Sequence, residues 1–273
     1  MNRIKRDWPR AAAAAGLLVL AAAFLLRFSY STSFLWPGYC GYDSAIFQTI
    51  GKYWAEGSVP YRDLFDHKGP LIFFIDMIGY LLWGRAGILV PQTISLAAAL
   101  FFLYKLGRVY LPRPGATGAA LAALVYLART FDEGNMTEEY ALPFIAASLW
   151  LAARWCEEQK RDPAAPHPWR YAAVYGLSFG AILLLRVTSA VSIGSFVLVI
   201  ALYTLARKQW VTLAKNAAAF LGGFAAVTAP FCVYFAAYGA LGRMLYGTIG
   251  YNLLYATGFS LTLAEAAFAV WLA

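Results

Sequence analysis

The sequence predicts an all-α, polytopic membrane protein, with about seven transmembrane helices and two shorter helices lying at one membrane surface. Three observations predict it. Of the 273 residues, 61% are hydrophobic and only 13% are charged, where soluble domains carry about 25%; the mean hydropathy is +0.59. Apolar runs recur at lengths near the roughly 20 residues that a helical span requires. The ten-residue alternation of a membrane β-barrel is absent, so the spans are helices, which satisfy their own backbone groups in lipid.

The elements follow in order. The basic tail MNRIKRDWPR precedes the apolar run Ala11 to Leu26. The stretch Ser29 to Trp36 beyond it is aromatic and bulky, so the run reads as an uncleaved anchor spanning about 11–30. Residues 31–87 form the first outer loop. Within it, Ile46, Phe47, Ile50, Tyr53 and Trp54 fall on one face at helical spacing. They predict an interfacial helix over about 44–56, capped by Asp43 and ended by Gly57. A turn at 57–60 leads to a second interfacial helix over 70–83, with Pro70 in its first turn. Further spans are expected at about 88–109, 115–130, 140–156, 170–186, 190–206 and 216–238. A partial span from Leu261 is cut at Ala273, so residues 1–273 read as one transmembrane module expected to continue.

The segment 70–83 decides the topology. It is 14 residues long and contains Asp76. If it lies in the outer interface, with Asp76 on its wet side, 14 of the 22 Lys and Arg fall inside and 10 of the 14 Asp and Glu fall outside. If it spans, every later loop flips and only 8 basic residues remain inside. The positive-inside rule therefore favours the interfacial placement, a cytoplasmic N-terminus and an outer face carrying 31–87, 130–139, the Arg186 turn and 239–260.

The formal charge of +8 is explained by this topology, not by nucleic acid, since no basic, aromatic-interleaved groove is present. Cys40, Cys156 and Cys232 are far apart and imply neither a disulfide framework nor a metal knuckle; Cys156 and Cys232 are expected to be buried thiols. His67 and His167 are too distant in sequence to argue for a metal pair. The Pro-rich run 157–170 reads as a solvated connector. No Walker loop, GxGxxG or Ser-His-Asp arrangement is present, so nucleotide-driven chemistry has no support.

The chain is organised around Tyr42–Leu71, which reads YDSAIFQTIGKYWAEGSVPYRDLFDHKGPL and holds Asp43, Asp63, Asp66, His67 and Lys68. Asp43 reads either as a helix cap or as a general base taking a proton from an acceptor hydroxyl. Lys68 reads as a snorkelling lysine or as a clamp on a lipid phosphate. The loop FDEGNMTEE packs Asp132, Glu133, Glu138 and Glu139 together. Its acids would cap the next helix, or set a second carboxylate facing Asp43. Two carboxylates on separate segments also suit a divalent ion, and spacing leaves that requirement open. Asn135-Met136-Thr137 fits a glycosylation sequon, a weak signal. Arg186, near an outer helix end, snorkels or serves the site.

On YDSAIF, PYRDLFDHKGPL and GNMTEEYALPF, in that order over essentially the whole chain, the sequence resembles the bacterial polyprenyl-phosphate-sugar glycosyltransferases of the GT-C superfamily. These include the protein O-mannosyltransferase-like (family 39), lipid A aminoarabinose transferase-like and RgtA/B/C/D-like enzymes. The resemblance implies a GT-C type bundle with Asp43 as the first-loop catalytic aspartate and Glu138 as the second-loop acid, with Glu139 as its alternate. It implies that Lys68, flanked by Asp66 and His67, contacts the lipid phosphate. Gly69 departs from the family's first proline there. Arg243–Tyr255 takes the place of a third surface helix, with Tyr251 and Asn252 as substrate-contacting candidates and Arg186 as a second cation. The implied activity is inverting transfer of a sugar from a polyprenyl-phosphate donor to a hydroxyl acceptor on lipopolysaccharide, another envelope glycan or a protein, at the periplasmic face of the inner membrane. The competing expectations are a non-catalytic transporter of lipid-linked sugars and a membrane assembly subunit.

Overall fold

The computed structural model describes residues 2–39 and 41–257; Cys40 and the partial span expected from Leu261 lie outside them. Among the described residues the chain is helical between its turns. The elements are α1 (Asn2–Phe28), α2 (Asp43–Ala55), α3 (Pro70–Trp83), α4 (Leu89–Tyr110), α5 (Arg113–Thr130), α6 (Thr137–Arg161), α7 (Trp169–Leu183), α8 (Val191–Ala206), α9 (Trp210–Ala237), α10 (Leu241–Leu245) and α11 (Asn252–Thr257). A π-helical turn over Tyr246–Tyr251 joins the last two.

Among the described residues three stretches are long and apolar enough to cross a membrane: Pro70–Tyr110, Val187–Ala206 and Trp210–Ala237; Ala12–Phe28 is a shorter apolar helix. That is fewer than the seven spans expected. α7 has only 15 residues. α6 dilutes its apolar centre with Glu138 and Glu139 in its first turn and Lys160 and Arg161 in its last.

The long helices alternate in direction. At one end, Phe24 of α1 meets Phe131 after α5 with ring centroids 5.1 Å apart, and Gln92 of α4 donates to Glu139 of α6 at 3.0 Å. At the opposite end, Tyr203 of α8 donates to Gln159 of α6 at 3.1 Å, and Asn216 of α9 meets His167 before α7 at 3.0 Å. α7 and α9 pack most closely. A methyl at Gly176 would collide with the Phe220 carbonyl, and one at Gly223 with the Ala173 carbonyl; small residues permit this approach.

α2 and α3 lie across the first end. α3 starts beside the end of α7, where Gly69 and Leu71 donate to the carbonyls of Leu185 and Leu184 at 3.2 and 3.0 Å. It ends where the chain folds back at Gly84 (φ +62) and brings Gly79 against Gly87 and Ile88 at the start of α4. Both of its ends therefore sit at the same end of the bundle. Arg85 fixes this corner by donating to the carbonyls of Ser31, Tyr30, Trp36 and Pro37 at 2.6–3.2 Å. α2 buries Phe47, Ile50, Gly51 and Trp54. Phe47 packs on Phe73, and Trp54 packs on Tyr234 and Phe235 of α9. Ile46 and Tyr53, expected on the apolar face, are exposed.

Three further expectations are corrected. Asp76 is fully buried, because α2 covers it through Gly51, and it accepts from Asn135 Nδ2 at 3.0 Å. Cys156 is exposed on α6, since the buried face there is taken by Leu151 and Trp155. His167 is buried although its segment is polar, because Trp155, Tyr171 and Tyr175 surround its ring.

Candidate functional site

The site is built on the first turn of α2 and on the loop 61–69. Asp43 opens α2 but makes no capping bond; the N-cap residue is Tyr42. The cap comes from Glu133, absent from the expected site. Its carboxylate is almost fully buried and accepts from the N–H groups of Tyr42 and Ser44 at 2.7 and 2.9 Å and from Tyr39 Oη at 3.3 Å. The cap frees Asp43, whose side chain is 52% exposed.

Lys68 is held by its backbone. Asp66 Oδ1 accepts from its N–H at 2.8 Å, and the buried Tyr61 hydroxyl donates to its carbonyl at 2.7 Å. Asn252 Nδ2 donates to the His67 carbonyl at 2.7 Å and also to the carbonyls of Gly247 and Thr248. It thereby ties the π-helical turn to the loop; such turns occur often at functional sites. Tyr251 packs on the His67 ring at 5.4 Å. Asp63 seals the start of the loop, and hydrogen bonds from Arg62 and from the Val59 N–H pull its carboxyl down to about 2.

With its backbone fixed, Lys68 places its ammonium 3.8 Å from Asp43 Oδ2 and 3.1 Å from His67 Nε2. Burial and the adjacent ammonium hold His67 below its ordinary pKa. Neutral His67 accepts from Lys68 through Nε2, which puts its proton on Nδ1, the atom 4.0 Å from Asp66 Oδ1. Arg186 follows the Leu184–Leu185 strip on which this loop docks, and its charge also reaches His67. It pairs with Glu138, which accepts from the Thr137 hydroxyl at 2.8 Å. Asp43, Lys68, His67, Arg186 and Glu138 thus lie at the same end of the bundle, as two acid–cation pairs on either side of a neutral imidazole.

Glu139 stands apart from these pairs. It accepts from the Met136 N–H at 2.9 Å and from Gln92 at 3.0 Å, a helix-capping arrangement, and burial pushes its carboxyl up to about 8. Asn135 is fully buried with φ +62, and both of its amide atoms are bonded within the fold, so the sequon is not presented for modification. Among the described residues no group of three or more His, Cys, Asp or Glu gathers as a metal-ligand set. Asp43 and Glu138 each face a cation instead.

Glu133 had a sequence signal, since it lies in the acidic loop, but its partners Tyr42 and Ser44 are about ninety positions away. Tyr61 had none; its role depends on a positive φ of 65°.

No curated protein and no solved structure matches the chain. The resemblance to the GT-C glycosyltransferases is overturned by the family that does match, and the residue roles it implied lapse as family roles. The motifs that carried it are short, and each has a local structural duty. YDSAIF starts α2, HKGPL supplies an N-cap glycine and a first-turn proline to α3, and NMTEE starts α6 with Glu139 turned back on its cap. A family model matches residues 9–270, and the chain belongs to that family, described as "Putative competence-induced protein Ccs4 N-terminal domain".

Proposed function

We propose that the chain crosses a cell membrane as a bundle of about seven helices, and that it transfers a glycosyl group from a polyprenyl phosphate to a hydroxyl acceptor at the face holding Asp43 and Lys68. The family's name concerns when its members are made; the chemical reading rests on the site alone. The observation that carries it is the Lys68 ammonium, 3.8 Å from the exposed Asp43 carboxylate and with its backbone held on both sides. A second observation fits a lipid-borne donor. An apolar cleft of about 480 Å³, lined by Leu71, Ile75, Tyr140, Phe144 and Leu177, begins three residues beyond Lys68.

The chemistry balances on these groups. Asp43 takes the acceptor's proton as the acceptor oxygen bonds to the anomeric carbon. The bond from that carbon to the phosphate oxygen breaks, and the phosphate leaves with the electron pair. Lys68 and Arg186 stabilise its charge. A single displacement inverts the anomeric carbon. The excess of Lys and Arg in the loops of the opposite end supports reading the site on the outer face under the positive-inside rule.

The test is incubation of the chain in vesicles with a panel of labelled polyprenyl-phosphate sugars, tracking where the label goes. Transfer by the wild type and its loss in Asp43→Asn are expected; transfer retained in that variant sinks the base assignment. Lys68→Ala should weaken donor binding more than acceptor binding. Cysteines at Ser58 and Ala164 should label from opposite sides of the membrane.

A further inference from the structure

At the end of the bundle away from Asp43, a cavity of about 300 Å³ opens between α7, α8 and α9. Its walls are hydrocarbon, from Val197, Ile200, Leu213, Phe220 and Leu221. Four polar side chains also line it: Thr204, whose hydroxyl donates to the Ile200 carbonyl, and three that each carry a buried atom without a hydrogen-bond partner, His167 Nε2, Tyr175 Oη and Asn216 Oδ1. His167 and Tyr175 are 3% and 1% exposed, so solvent does not satisfy them. Orphaned buried polar atoms are rare in native folds and call for an explanation.

The chemistry of the pair is specific. Asn216 Nδ2 lies 3.0 Å from His167 Nδ1, so it donates there and leaves a proton on Nε2. The two side chains then offer one free donor, Nε2–H, and one free acceptor, Oδ1. Turning the amide over exchanges the roles but still leaves one of each. The two ring nitrogens of an imidazole point apart, so these groups stand at separate places on the wall, and a hydroxyl entering the cavity answers either one, accepting from Nε2–H or donating to Oδ1. Desolvation drives His167 down to about 4, so the imidazole is neutral at pH 7 and offers no charge to an anion. The nearby cations Arg207, Lys208 and Lys215 are exposed and do not line the cavity. Water alone is a poor occupant. The volume would hold on the order of ten molecules at ~30 Å³ each, and three orphaned atoms among hydrocarbon cannot bond that many.

We propose that this cavity binds a long-chain neutral lipid with a free hydroxyl, its hydroxyl accepting from His167 Nε2–H and its chain along α8 and α9. The size falls at the lower end of ligand pockets, about 300–1,000 Å³. The site is separate from the Asp43–Lys68 cluster and does not depend on the reading of that cluster.

The test uses the full chain in nanodiscs with a diazirine-bearing octadecanol, and with the matching octadecane and stearate probes. Octadecanol should label peptides within 197–221 at least tenfold more strongly than octadecane or stearate at pH 7. Ala201→Trp, which fills the cavity, should remove that labelling. His167→Phe should abolish the preference for alcohol over alkane, and octadecanol should raise the Tm of the wild type only. Equal labelling by octadecane or stearate, labelling unchanged in Ala201→Trp, a preference retained in His167→Phe, or no Tm shift of the wild type overturns the proposal.

Discussion

Replacing Glu133 by alanine should loosen the first turns of α2 without unfolding the bundle. The Glu133 carboxylate accepts from two backbone N–H groups, those of Tyr42 and Ser44, at 2.7 and 2.9 Å. Hydrogen bonds to charged groups contribute about 1.5–3 kcal/mol each, and both donors would otherwise be helix-end orphans. Part of the loss is regained from water, because Tyr42 is exposed, so the lower end, about 3 kcal/mol, is the expected cost. At about 1.4 kcal/mol per tenfold, amide exchange in 42–48 should quicken by roughly a hundredfold through local opening. Amides in α7 and α9, which pack on each other through Gly176 and Gly223, should keep their protection. Hydrogen–deuterium exchange read by mass spectrometry on the purified chain separates the two regions. Unchanged exchange in 42–48, or equal acceleration in α7 and α9, would refute the claim that Glu133 is a local cap.

Gly69→Ala should be strongly destabilising, because the added methyl meets the Leu184 backbone carbonyl, which cannot move aside as a side chain would; thermal unfolding in detergent, compared with Gly118→Ala, checks the cost of the contact against that of a glycine in open space. Asn252→Leu should lower donor binding by the proposed transferase site several-fold while leaving the melting temperature within a few degrees. Loss of the amide releases the His67 carbonyl and the π-helical turn, not the core. The stability of the His167 region should fall with acid. The folded imidazole is held near 4 by burial, with no charged group contributing, against 6.5 when unfolded. A depressed folded value favours the fold above the unfolded pKa and is lost as pH falls from about 6.5 through 4. A displacement of that size is worth on the order of 3 kcal/mol. Melting temperatures from pH 7 to 4 should therefore drop more steeply in the wild type than in His167→Phe.

The secondary structure was largely legible, because it depends on local terms. Pro70 at a helix start, Gly57 after a helix end and the apolar runs from 88 to 238 put α2 to α9 close to where they stand. Chemistry was less legible. Asp76 and His167 sit in sequence surroundings that read as wet, yet Gly51 and an aromatic shell close over them. Glu139 was set beside Glu138 as an alternate, but neighbours on a helix point about 100° apart. One turns to Arg186 and the other to Gln92. The family was misjudged for a related reason: short motifs at helix ends record capping needs that many helical proteins share.

Composition, charge placement and apolar run length by themselves determined that this is a helical chain with stretches able to enter a membrane, since each acts through neighbours within a turn or two. Only the tertiary structure decided which acids meet which bases. The pairs Asp43 with Lys68, Glu138 with Arg186, Glu133 with Tyr42 and Asn216 with His167 join segments 25 to 91 positions apart. Such pairings are fixed by how helices pack across one another, and no local pattern in the chain encodes a contact made at that separation.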